Sequence, residues 1–241
     1  MDFDVLPGPP LAELARTAMD RACAAVVIYP GSRSLPMATV PVRASRTGHP
    51  ILLPRRGSVL DQRLAVSAAR VSVTIPADAP FSALRLIGIT GPGERHDTVQ
   101  AGLGTDPGPA GPAAYPVTVQ SLEFTGATPA PVGLPQYEAA APDPLRHRAP
   151  EVLGHLEHCH MAELVSCVRA HGITAAECVM PRKLDRFGLE FLVFTPSGVA
   201  AVRLAFPAGP VTTIEEVPVS IRAALTCRCG GKSQPHHHHV G

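Results

Sequence analysis

Apolar positions recur at helical spacing near the start of the chain. From Leu11 to Ala25 the residues Leu11, Leu14, Ala15, Ala18 and Ala22 fall near one face, which predicts a helix. Ala24–Tyr29 is a short apolar run stopped by Pro30-Gly31, the pattern of a buried strand. Two further runs, Ala38–Ala44 and Pro50–Leu53, flank Arg46-Thr-Gly48 and read as a hairpin, with Pro41 demoting the first strand to an edge or a bulge. Ser58–Ala69 predicts a short helix. Arg70–Ile75 alternates as a half-buried strand, and Ala83–Thr90 and Tyr115–Phe124 supply two more. Between those two, His96–Pro116 is so rich in Gly and Pro that it reads as a mobile loop. Thr128–Pro150 is rich in Pro and Ala and reads as a linker, with a domain boundary near residue 145.

Beyond the linker the pattern changes. A histidine-rich helix, His155-Leu-Glu-His158-Cys159-His160-Met-Ala-Glu163-Leu164, precedes a sheet-like pair, Lys183–Val193 and Val199–Pro207. A last helix starts near Ile214. At about 100° per residue, Leu153, Leu156, His160, Leu164 and Cys167 share one side of the first helix, so His160 is expected to face the core. His155, Cys159 and Glu163 follow one another at i, i+4 and i+8 on another side, with His158 beside His155. The expected layout is therefore residues 1–127 as a barrel-like domain, 128–149 as the linker, 150–226 as a small α/β module and 227–241 as a Cys/His-rich tail.

Composition narrows the class. The 241 residues are 45% hydrophobic and 17% charged, enough for a real core. The net charge is +1 and basic residues occur only in short pairs, Arg55-Arg56 and Arg182-Lys183, which argues against tracking along nucleic acid. The acidic start, Met1-Asp-Phe-Asp, and the lack of an apolar run near ~18 residues predict a cytoplasmic protein with no membrane span. The six cysteines are then expected as reduced thiols. Hydrolytic chemistry finds no support, because the carboxylates stand in no recognisable pairing and no serine has a nucleophile-elbow context.

Many short strands with Gly/Pro turns favour a barrel or sandwich. A hairpin followed by a short helix and then more strands resembles the split barrel of the pyridoxamine-phosphate-oxidase-like, FMN-binding-like superfamily. The stretch 150–225 resembles the α/β module appended to some of its members, including the HugZ-type haem-degrading proteins and the glutamyl-tRNA reductase-binding proteins. In that module the first helix carries His-Met-Asn, an acidic pair and a second His. Here His155 and His160 take the two histidine positions, and His158 and Cys159 replace the acids. Asp185 and Gly188 match its Asp-x-x-Gly, and Arg203-Leu-Ala-Phe206-Pro207 matches its Arg-hydrophobic-x-Phe-Pro strand end.

The resemblance implies an α+β fold, a split β-barrel of about six strands followed by a small α/β module, and a homodimer paired through the barrel. It implies haem as the leading cofactor, with oxidative haem breakdown and iron release if the protein is an enzyme. FMN and a flavin-dependent oxidoreductase are an alternative, and a non-enzymatic regulatory protein of the same fold is another. Arg43, Arg55, Arg56, Ser58, Arg63 and Arg85 are the candidates to hold an FMN phosphate or haem propionates, the charged groups arginine suits best. His160 joins them as a cofactor-binding candidate.

Metal chemistry has two candidate sets. His155 and Cys159 have the spacing of two ligands on one helix, with His158 as a third. The tail offers Cys227, Cys229, His236, His237, His238 and His239, a set suited to soft or borderline transition metals. Four His followed by Val-Gly differs from a usual expression tag and reads as native sequence. In HugZ-type proteins a tail histidine ligates haem iron, and His236–His239 occupy the similar position in the chain.

Overall fold

The computed structural model describes residues 9–30, 36–77, 83–91, 113–125 and 128–226. Its chain divides into two compact units, one of Pro10–Pro142 and one that begins at Asp143.

The first unit opens with helix α1, Leu11–Arg21, which ends where strand β1, Ala24–Ile28, begins. Strands β2 (Met37–Ala44) and β3 (Pro50–Leu52) form the expected hairpin. Helix α2, Val59–Val66, leads to β4 (Ala69–Pro76), β5 (Ala83–Thr90) and β6 (Tyr115–Thr125). Every pairing is antiparallel, in the order β3-β2-β1-β4-β5-β6, and β3 also pairs with β6 through Ile51 and Leu52. Six strands therefore close on themselves as a barrel, and the fold is an α+β split barrel. Closure follows from the alternation. Val71, Val73 and Ile75 of β4, Leu84 and Leu86 of β5, and Tyr115, Val117 and Val119 of β6 turn inward and are almost fully buried. Leu60 and Leu64 of α2 join that core. The interior is thus filled by apolar side chains, mostly aliphatic with Tyr115 among them.

Two expectations need correction in this unit. Pro41 does not place β2 at an edge, since β2 lies between β1 and β3. Pro41 pairs with Ala24 of β1, and the next residue, Val42, pairs with Leu52 of β3. The proline sits where the strand changes partners, so its missing N–H costs the ladder little. The stretch 128–149 is not a plain linker. Strand β7, Ala130–Val132, adds to β6, and helix α3, Leu134–Ala139, follows with Tyr137 fully buried. The β6–β7 ladder and the apolar side chains of Val132, Leu134 and Tyr137 hold this Pro/Ala-rich run on the barrel.

The second unit begins with α4, Ala149–Cys159, and α5, Met161–Ala170. A three-stranded antiparallel sheet follows in the order β10-β9-β8, built from β8 (Cys178–Asp185), β9 (Gly188–Thr195) and β10 (Gly198–Ala205). A 3-10 turn, Ile214–Glu216, runs into α6, Val217–Thr226. The run 183–193 was expected as one strand, and the chain instead reverses within it, at Asp185–Gly188. Leu156, Leu164 and Val168 of the helices pack with Val179, Leu189, Phe191 and Val193 of the sheet. No described helix is long and apolar enough to cross a membrane.

Candidate functional site

The arginines proposed from the hairpin and α2 are all exposed: Arg43 on β2, Arg55 and Arg56 just before α2, and Arg63 on it. Ser58 has a structural task. It is the N-cap of α2, and its Oγ accepts a hydrogen bond from the Asp61 N–H at 3.2 Å. Asp61 reaches back to the Gly57 N–H at 2.7 Å and accepts from the Tyr115 hydroxyl at 2.6 Å. The carboxylate already complements the positive end of this short helix, so Ser58 is a poor phosphate ligand. Arg85 is likewise engaged on the outer barrel surface, where it donates to Glu123 and to Ser72 Oγ, each at 3.3 Å. Arg43, Arg55, Arg56, Arg63 and Arg85 are all exposed, with Arg56 and Arg85 already in polar contacts.

The histidine-rich segment differs from its expected form. It is not one helix. His160 is both the last cap of α4 and the first of α5, with φ −129 and ψ 20 outside the helical region. Its side chain is 43% exposed and does not enter the core. In a continuous helix His155 and His160, five positions apart, would lie about 140° apart around the axis. The break at His160 removes that separation. The two Nε2 atoms face each other at 3.3 Å, and the rings meet edge to face with centroids 5.1 Å apart. Glu163 Oε1 lies 3.9 Å from the other ring nitrogen, His160 Nδ1. An acid therefore does stand beside the second histidine, supplied from one turn later than the replaced pair.

The other proposed ligands on α4 make different contacts or none that is described. His158 Nδ1 is held by the Gly154 carbonyl at 2.6 Å, and Cys159 is exposed. Among the described residues no three His, Cys, Asp or Glu side chains gather into a cluster able to hold a metal ion. The tail set, Cys227, Cys229 and His236–His239, lies outside the described residues.

The Asp-x-x-Gly and Arg-x-x-Phe-Pro signatures turn out to serve the fold. Arg203 Nη2 donates to Asp185 Oδ1 at 2.6 Å, with Asp185 only 3% exposed. The same oxygen accepts from the Phe187 N–H and so shapes the β8–β9 turn. Asp143, also buried, accepts from the Arg186 and Leu145 N–H groups at 2.8 and 2.7 Å. Gly188, at φ +156, has no room for a side chain, since a Cβ there would come 2.1 Å from the Leu204 carbonyl oxygen.

One buried polar cluster was not foreseen at all. Arg16 of α1 donates to the Ala140 and Arg46 carbonyls, each at 3.0 Å, and its guanidinium lies 5.4 Å from the Tyr137 ring centroid. The Tyr137 hydroxyl donates to the Gly48 carbonyl at 2.5 Å. Nearby, His49 Nδ1 accepts from the Val119 N–H at 3.4 Å, which leaves Nε2 as the donor to Glu138 at 2.9 Å. Arg16 Nη1 is buried there without a hydrogen-bond partner among the described residues, while the remaining bonds tie α1, the hairpin turn and α3 together.

No family model matches the chain, and no curated protein matches it. Among solved structures it is similar to a haem-binding protein from Mycobacterium smegmatis, at 19% identity and a TM-score of 0.64, over 93% of this chain and 99% of that one. A protein of unknown function from Agrobacterium tumefaciens is 16% identical with a TM-score of 0.38, over 93% of this chain and all of that one. A general stress protein 26 candidate from Jannaschia matches at 10% identity and 0.38, over 47% of this chain and 76% of its own. The mycobacterial likeness extends over nearly the whole of both chains and establishes a shared fold.

Proposed function

We propose that this protein binds haem, outside its packed barrel, with exposed arginines on the β2–α2 stretch facing the propionates. The observation that supports this reading most is the fold shared with the mycobacterial haem-binding protein across almost all of both chains. Arg43, Arg55 and Arg63 are exposed, as a group that receives carboxylates requires. Haem would supply an iron able to activate oxygen, while the protein's part is to hold the macrocycle and shield it. Oxidative haem breakdown with iron release is the finer reading, in a homodimer.

A haemin titration of the full chain, followed by absorbance, tests it. The expected result is a saturable Soret band that weakens when Arg55, Arg56 and Arg63 are replaced together by Ala. Replacing His236–His239 by Ala asks whether the tail contributes the axial ligand. Adding a reductant and oxygen to the complex then reports breakdown as loss of that band. Absence of a specific band in the full chain sinks the haem reading.

A further inference from the structure

We infer that His155 and His160 form a chelating site for a borderline divalent metal ion such as Zn2+, Ni2+ or Cu2+, with water completing the coordination. Three observations carry it. The first is the helix break, which brings together two imidazoles five positions apart, edge to face, with Nε2 atoms 3.3 Å from one another. The second is the geometry of the pair. Two nitrogens each 2.0–2.1 Å from one tetrahedral zinc stand about 3.3 Å apart, and rings radiating from that ion put their centroids about 5.2 Å apart. The observed values are 3.3 and 5.1 Å. The same 3.3 Å is spanned by a hydrogen bond between the two rings, which a bound metal ion would replace. The third is Glu163. Its carboxylate stands on the Nδ1 side of His160, 3.9 Å away, so a small side-chain movement would let it accept the Nδ1–H hydrogen bond and leave Nε2 to ligate.

The site is open. His155 is exposed and His160 is 43% exposed at its side chain, so metal and water reach both nitrogens. Two neutral imidazoles add no charge, and selectivity should follow the usual order of divalent affinities, Cu2+ first. Such an open, two-ligand arrangement suits exchangeable binding and leaves positions for a further ligand. His160, rather than the i, i+4 neighbour Cys159, is the side chain in contact with His155 Nε2. His158 is held to the Gly154 carbonyl instead.

The test uses the full chain with Cys227 and Cys229 replaced by Ser and His236–His239 by Ala, so that the tail cannot compete. Zn2+ binding is measured by calorimetry, and Co2+ by its visible absorption. One site is expected, abolished by His155→Ala and by His160→Ala or His160→Gln. Glu163→Gln should weaken it by about tenfold. Cys159→Ser and His158→Ala should leave it unchanged, with far-UV circular dichroism confirming the fold of each variant. No uptake by the tail-substituted chain overturns the inference, and so does uptake indifferent to His160. Loss on Cys159→Ser, with His160→Ala silent, overturns it in favour of the i, i+4 pair. No haem is present in these titrations, so failure here leaves the haem reading standing, and a failed Soret titration leaves this one.

Discussion

Replacing Tyr137 by Phe removes a single hydroxyl from a side chain with no solvent exposure. That hydroxyl donates to the Gly48 carbonyl at 2.5 Å. Its loss leaves a buried acceptor without this donor, at a cost of about 1–3 kcal/mol. A second effect appears only at high pH. Burial is the main reason the Tyr137 phenol rises from 10.0 to about 12, with Arg16 beside it opposing part of the rise. In the unfolded chain the phenol would ionise near its ordinary value, whereas in the fold it keeps its proton further. Between these values the folded state binds more protons, so stability falls as pH rises. The contribution is intact below pH 10 and is lost by about pH 12, a span of two units worth roughly 2.7 kcal/mol at most. Urea unfolding of the wild type and Tyr137→Phe, below pH 10 and again between 10 and 12, reads both effects. The wild type should be the more stable below pH 10, and its advantage should shrink across the window. A constant gap would refute the reasoning, since it would mean that the fold does not hold this proton.

Other substitutions follow from the same geometry. Arg203→Ala should destabilise the second unit by about 3–5 kcal/mol, because it strands the buried Asp185 carboxylate; chemical denaturation checks this. Gly188→Ala should cost about 2–4 kcal/mol or prevent folding of that unit, since its Cβ would press on the Leu204 carbonyl and the adjacent backbone; circular dichroism and thermal melting report it. Ser58→Ala should lower stability by about 1 kcal/mol through loss of the α2 cap, with haem affinity unchanged, and an altered affinity would give Ser58 a ligand role after all.

The barrel was legible in the sequence because each strand alternates on its own. Val71, Val73 and Ile75 announce an inward face with no knowledge of their neighbours. Ring closure was implied only by resemblance, since the β3–β6 pairing joins segments some sixty positions apart in the chain and local pattern carries no trace of it. Tyr137 was hidden for the same reason: its partners Arg16 and Gly48 are remote, and its surroundings have the composition of a linker. The break at His160 failed differently. No Gly or Pro marks it, and the apolar positions on either side still fit one helical face, so periodicity ran straight through. That single departure brings His155 to His160, two rings that a continuous helix would hold apart.

Arg16 and its acceptor at Ala140 lie 124 positions apart, at opposite limits of the barrel unit. A growing chain therefore completes every strand of the ring before it makes the helix that satisfies α1. Until that helix emerges, Tyr137 and the Ala140 carbonyl are missing from the Arg16 cluster. A fragment stopped at residue 127 would expose the same deficit permanently, and one ending at residue 142 would not. The same clasp holds the unit's first and last helices side by side. Joining its ends and reopening the chain in an exposed loop should leave the barrel able to assemble, because the order in which its parts are synthesised would change while their neighbours stay the same.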